Sequence, residues 1–205
     1  MLSFIRSLFK KEKEEPNPMK YLIVGLGNPG SDYDDTRHNV GFEVIDNLIK
    51  LHKVDMEHES HGDLGEFKFK GRTIILLKPN TYMNLSGKAV RYWMQKKKVQ
   101  QENILILLDD LNIDFGRVKL KGKGSDGGHN GLKSINELLG GNKYARLRIG
   151  IGDDFSRGRQ VDYVLGKWTD KEWETLPDIL TTSADCVKAF CTVGMAHAMN
   201  QYNKK

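Results

Sequence analysis

The chain has 205 residues, 39% hydrophobic and 29% charged, with a net charge of +5. That length buries a full core as one α/β domain, and no apolar run approaches the ~20 residues a helical membrane span needs. The modest basic excess is compatible with a nucleic-acid partner without establishing one. Cys186 and Cys191 fall in a C-terminal helical segment and point in different directions, so they read as reduced thiols of a cytoplasmic protein.

Residues 1–18 read as a tail or a misplaced start, because the polar run from Lys10 to Pro18 precedes Met19, a natural alternative start. The folded domain is then 19–205. Tyr21-Leu-Ile-Val-Gly25 is a buried strand that runs into Leu26-Gly-Asn28-Pro-Gly30, a turn where glycine permits bends and Pro29 stiffens. A polar loop follows. Val40, Val44, Ile45, Leu48 and Leu51 then repeat with helical spacing, which sets His38 at a helix N-terminus. The helix dipole there disfavours a cation, so the imidazole is expected to be neutral and suited to act as a base.

Gly65–Gly71 alternates as a half-exposed strand, and a turn at Lys70-Gly71 leads into the buried strand Arg72–Leu77. Asn80–Ser86 forms a second strand-end loop, with Asn84 or Ser86 available to cap the helix carrying Ala89, Val90 and Trp93. Ile104–Leu108 is the most apolar strand and is expected near the sheet centre, ending in Asp109-Asp110. Arg117–Lys121 alternates as an edge strand before the glycine-rich run Gly122–Gly131. A short helix (Leu132–Leu139) and another strand (Ala145–Ile151) follow, with Thr169 and Ser183 as caps for two closing helices. The expected fold is a twisted, mixed, mostly parallel sheet with helices on both faces.

Several segments thus bring polar residues to one sheet edge: Asn28 and His38, then Asn84, then Asp109, then Asn130. Gly25-x-Gly27-x-x-Gly30 resembles a dinucleotide fingerprint, but Pro29 and a charged stretch hold the helix off until about residue 39, so no amides face a pyrophosphate. No Gly-x-Ser-x-Gly elbow is present, the cysteines lie far from the loops, and the histidines are not spaced as metal ligands. What remains is an imidazole that polarises water, a carboxylate that orients it, and carboxamides that grip a carbonyl. Those parts suffice to hydrolyse an activated acyl bond such as an ester.

Val24-Gly-Leu-Gly-Asn28-Pro-Gly, Thr36-Arg-His38-Asn39-Val-Gly, Lys78-Pro-Asn-Thr-Tyr82-Met83-Asn84-Leu-Ser-Gly, Gly127-Gly-His-Asn130-Gly-Leu and Arg146-Leu-Arg148-Ile-Gly-Ile-Gly occur in that order. Together they resemble bacterial peptidyl-tRNA hydrolase over about residues 19–200. The resemblance implies cleavage of the ester joining a peptide to the terminal ribose of tRNA. His38 would be the base, Asp109 would orient it, and Asn28 would position the ester and water. Asn84 and Asn130 would bind the peptide main chain, Tyr82 and Met83 would shape the cleft, and Lys119, Lys121 and Arg148 would contact tRNA phosphates. It implies a monomer acting on peptidyl-tRNA, with no metal, organic cofactor or membrane. A non-catalytic RNA-binding relative is the alternative. The chain departs from the family in Leu108-Asp109-Asp110, where His-Asp-Glu is usual, in a following loop without paired prolines, and in Lys123.

Overall fold

The structure, a computed structural model, describes residues 17–204, so residues 1–16 of the expected tail lie outside the described residues. The chain runs β1 (Lys20–Gly25), α1 (Val40–His52), β2 (Glu57–Glu59), β3 (Gly62–Phe69), β4 (Arg72–Lys78), α2 (Ser86–Lys96), β5 (Ile104–Asp110), β6 (Val118–Lys121), α3 (Asn130–Leu139), β7 (Ala145–Gly150), α4 (Gln160–Val164) and α5 (Asp170–Tyr202). The strands form one seven-stranded sheet in the order β2-β3-β4-β1-β5-β7-β6. Its middle strands, β4, β1, β5 and β7, are parallel. Antiparallel β3 and β2 extend one side and antiparallel β6 closes the other. The mixed α/β sheet expected from the sequence is present, with β1 and β5 both interior.

Side-chain alternation gives the sheet two apolar faces. Ile23, Ile74, Leu76, Leu105, Leu107 and Leu147 pack with the buried residues of α1 and α5. Leu22, Val24, Ile75, Leu77, Ile106 and Leu108 pack with those of α2 and α3. Strands buried on both faces explain the continuous apolar runs in the sequence. Each such side chain contributes about 1.5–3 kcal/mol.

Two glycines set how deeply α1 beds against the strand ends. A Cβ on Gly25 would lie 2.2 Å from the Gly41 carbonyl oxygen, and one on Gly41 would lie 2.5 Å from the Leu26 nitrogen. Only hydrogen at both positions permits this approach, and it brings residue 38 over the C-terminal ends of β1 and β5.

The structure corrects three local expectations. β3 begins at Gly62 rather than Gly65 and pairs with β2, a polar strand that no apolar alternation announces. Neither Asn84 nor Ser86 caps α2. Ser86 Oγ instead donates to the Met83 carbonyl (2.8 Å), and Ser134 of α3 accepts from the Gly87 N–H (3.1 Å). At the closing helices, Thr169 does cap, forming a reciprocal box with Glu172. Ser183 is fully buried in the middle of α5, and the interruption falls instead at Gly194, where φ is 79°. Beyond α5, the Asn203 carboxamide accepts from the Leu120 N–H (2.7 Å) and donates to the Leu120 carbonyl (2.9 Å) on the outer side of β6.

Candidate active site

At the C-terminal ends of β1 and β5 lies a cleft of about 360 Å³. Asn28, His38, Tyr82, Met83, Asn84, Asp109 and Asn130 all line it, so the residues singled out for catalysis and peptide contact come together in one place. Open α/β sheets put ligands at this strand end. Leu111, Gln160, Val161 and Leu165 supply further wall, with Val161 65% exposed.

Asp109 is the pivot. It occupies the penultimate position of β5 and is 3% exposed. Its Oδ1 lies 2.9 Å from His38 Nδ1 and 3.0 Å from His129 Nε2. Burial pushes the Asp109 carboxyl upward, but the His38 and His129 rings beside it outweigh this and hold it well below the usual carboxylate range. For His38, burial disfavours the imidazolium, yet the charge and hydrogen bond of Asp109 prevail and raise its pKa above 6.5. This reverses the direction expected from the helix terminus, because a buried carboxylate in direct contact exceeds the fractional charge of a helix end. With Nδ1–H donating to Asp109, Nε2 of His38 is the basic nitrogen.

His129 carried no assigned role in the sequence reading. Its Nδ1 accepts from the N–H groups of Gly131 (3.1 Å) and Leu132 (3.4 Å), capping α3. Main-chain amides only donate, so the ring proton sits on Nε2 and is given to Asp109. His38, Asp109 and His129 offer three atoms within 4.8 Å of one another, close enough to suggest a metal cage. Metal ligation through His129 Nε2 would move its proton to Nδ1, against two N–H groups. The donor pattern fits a hydrogen-bonded relay and does not fit a cation.

Asn28 is held by a second overlooked residue. The buried Asn39 side chain accepts from the Asn28 N–H (2.8 Å) and donates to the Asn28 carbonyl (3.0 Å). Asn28 Oδ1 in turn accepts from the Met83 N–H (2.8 Å). That fixes the orientation of the Asn28 carboxamide and leaves its Nδ2 hydrogens as the groups available to a carbonyl oxygen in the cleft. Asparagines at helix starts are too common for Asn39 to have stood out from sequence alone.

Behind the cleft, the segment before His38 is tied to the segment after α4. Arg37, 6% exposed, pairs with Glu172 at 2.7 Å and lies 4.5 Å from the Tyr163 ring centre. The Arg37 N–H donates to the Gly166 carbonyl (3.1 Å). Glu43, a turn further along α1, accepts from Trp168 Nε1 (2.8 Å), while its Oε2 is buried with no partner among the described residues. Burial pushes this carboxyl up to about 7.

The cations form a separate strip beside the cleft. β6 and β7 place Lys119 opposite Arg148 and Lys121 opposite Arg146, all on one face, while Val118, Leu120, Leu147 and Ile149 fill the α5 side. Like charges directly opposite one another destabilise a strand pair unless an anion intervenes. Arg146 is 1% exposed. It stacks 4.5 Å from the Tyr144 ring and donates to Ser125 O (2.9 Å) and Asn142 O (3.2 Å), which anchors the glycine-rich loop. Arg148 donates through Nε to Asp110 Oδ2. Asp110 therefore belongs to the strip as well as to the cleft wall, and does not form a carboxylate pair with Asp109.

Comparison with known proteins fits this geometry. The family model for peptidyl-tRNA hydrolase matches residues 22–205. The chain belongs to the peptidyl-tRNA hydrolase family. It is 55% identical over 187 residues to the peptidyl-tRNA hydrolase of Phocaeicola vulgatus, covering 91% of this chain and all of that one. Against the peptidyl-tRNA hydrolase of Cytophaga hutchinsonii it is 52% identical over 187 residues, with the same coverage. The crystal structure of peptidyl-tRNA hydrolase from Acinetobacter baumannii superposes with a TM-score of 0.84 at 38% identity, covering 90% of this chain and 95% of that one. Membership of the family accounts for the five motifs, four of which meet at the cleft.

Proposed function

We propose that this protein hydrolyses the ester between a peptide and the terminal ribose of tRNA, releasing free peptide and free tRNA. The observation that carries the reading is the buried contact of 2.9 Å between His38 and Asp109 inside the cleft. His38 Nε2 takes a proton from water as the water oxygen attacks the ester carbonyl carbon. Asn28 Nδ2 donates to the carbonyl oxygen, where negative charge gathers. Asp109 stabilises the imidazolium that forms. Collapse expels the ribose oxygen, which recovers the proton from His38.

Asn84 and Asn130, both exposed in the cleft, grip the peptide main chain, since a carboxamide donates and accepts at once and ignores side-chain identity. Tyr82 and Met83 shape the wall. Lys119, Lys121 and Arg148 meet phosphates, which supply affinity without sequence choice. In this reading the enzyme works as a monomer in the cytoplasm and uses no metal, with the relay of two histidines and one aspartate supplying the general base. No helix among the described residues is long and apolar enough to cross a membrane. The intact relay favours catalysis over a purely RNA-binding role.

The test is release of the acyl group from N-acetylated aminoacyl-tRNA by purified protein. His38→Ala should lower the rate by about 10²–10⁴-fold, with tRNA binding retained. Full activity in that variant refutes the assignment of the base.

A further inference from the structure

We propose that Asp110 is an internal counter-anion that weakens the grip of Arg148 on tRNA phosphate, a positioning residue that favours release of the product. The inference rests on the reading of the β6–β7 strip as the phosphate contact.

Arg148 reaches from β7 to Asp110 at the end of β5. The two side chains are only 18% and 12% exposed, so water and salt screen their fields poorly. Asp110 is held in place from behind, because its Oδ1 accepts from the Asn112 N–H (2.9 Å) and lies 3.4 Å from Asn112 Nδ2. A phosphate that approaches Arg148 therefore meets a nearly neutral pair and a fixed carboxylate, not an open cation.

The rest of the strip gives that carboxylate its purpose. Arg148 faces Lys119 across the strands, and the next rung faces Lys121 with Arg146. Without an anion these rungs repel. Asp110 relieves the first rung when no RNA is bound, and a phosphate must share Arg148 with it when RNA arrives. Peptidyl-tRNA and the discharged tRNA carry the same phosphates. A strip that held them with its full charge would hold product as firmly as substrate, and Asp110 lowers that shared term.

The experiment measures binding of deacylated tRNA to the full-length protein at several salt concentrations, for the unaltered chain, Asp110→Asn, Asp110→Ala, Arg148→Ala and the double variant Asp110→Asn/Arg148→Ala. Asp110→Asn keeps an acceptor for Asn112 and should tighten binding about three- to ten-fold, steepening the plot of log affinity against log salt by about one counterion. Asp110→Ala should tighten it likewise. The gain should vanish when Arg148 is absent. Unchanged or weaker binding in Asp110→Asn, or an equal gain in the Arg148→Ala background, overturns the proposal. Hydrolysis by the unaltered protein is scored separately, so a negative result for Asp110 is distinct from a negative result for the activity.

Discussion

Replacing Asp109 with asparagine removes one negative charge from beside His38 while preserving the shape of the side chain. The contact atoms are 2.9 Å apart, which places the charge centres roughly 4 Å apart. At an effective dielectric constant of about 20, that separation is worth about 4 kcal/mol. The benefit falls chiefly on the imidazolium that develops as water attacks, so the variant should lose about 2–4 kcal/mol of transition-state stabilisation, roughly 30- to 1,000-fold in kcat. A second readout moves in a different way. In the unaltered protein Asp109 raises the His38 pKa above 6.5, and only the neutral ring serves as base, so activity should fall as pH drops through that raised value. Without the carboxylate, burial acts alone and the acid limb should move below 6.5. The assay is a pH profile of acyl release from N-acetylated aminoacyl-tRNA under saturating substrate. A lowered rate with an acid limb that stays in place, or shifts to higher pH, refutes the claim that Asp109 sets the basicity of His38.

Two further outcomes follow from the supporting residues. Asn39→Ala leaves the buried N–H and carbonyl of Asn28 without partners, which should cost about 2–4 kcal/mol in urea unfolding; an unchanged midpoint would mean that the strand-end loop is held by other contacts. Glu43 is an acid whose folded value is raised from 4.5 to about 7, so its ionisation opposes folding. The cost is complete above about pH 7 and fades as pH falls toward 4.5. Glu43→Gln should therefore gain about 1–3 kcal/mol at pH 8 and little at pH 5, and equal gains at both pH values would contradict the assignment.

Those parts of the fold written into short-range pattern were legible before the structure. Strands buried on both faces, such as Ile104–Leu108, leave a continuous apolar run, and the spacing of Val40, Val44, Ile45 and Leu48 reports the core face of α1. β2 was illegible because main-chain pairing with β3 holds it, and its three residues are all polar. The closing helix misled for a related reason. A serine suits a cap or the small-residue face of a helix, and Ser183 takes the second role, buried like Ile179, Ala184 and Val187 of the same helix. The candidate site divides in the same way. Asn28, His38 and Asp109 stand at strand and helix ends where periodicity stops, so they drew attention. His129 acquires its place over Asp109 only through the path of the glycine-rich loop, and Asn39 reaches the Asn28 backbone only because α1 is bedded on Gly25. Both are long-range consequences that local pattern does not carry.

β6 is the outermost strand of its side of the sheet, and an open rim of this kind invites a stranger's backbone to zip on. Here the carboxamide of Asn203 imitates one residue of a neighbouring strand, offering Leu120 both an acceptor and a donor. A single side chain thus acts as a plug against self-association. A change of Asn203 to leucine would trade a sealed rim for a sticky one, and its penalty would appear in concentrated solution before it appeared at the catalytic centre.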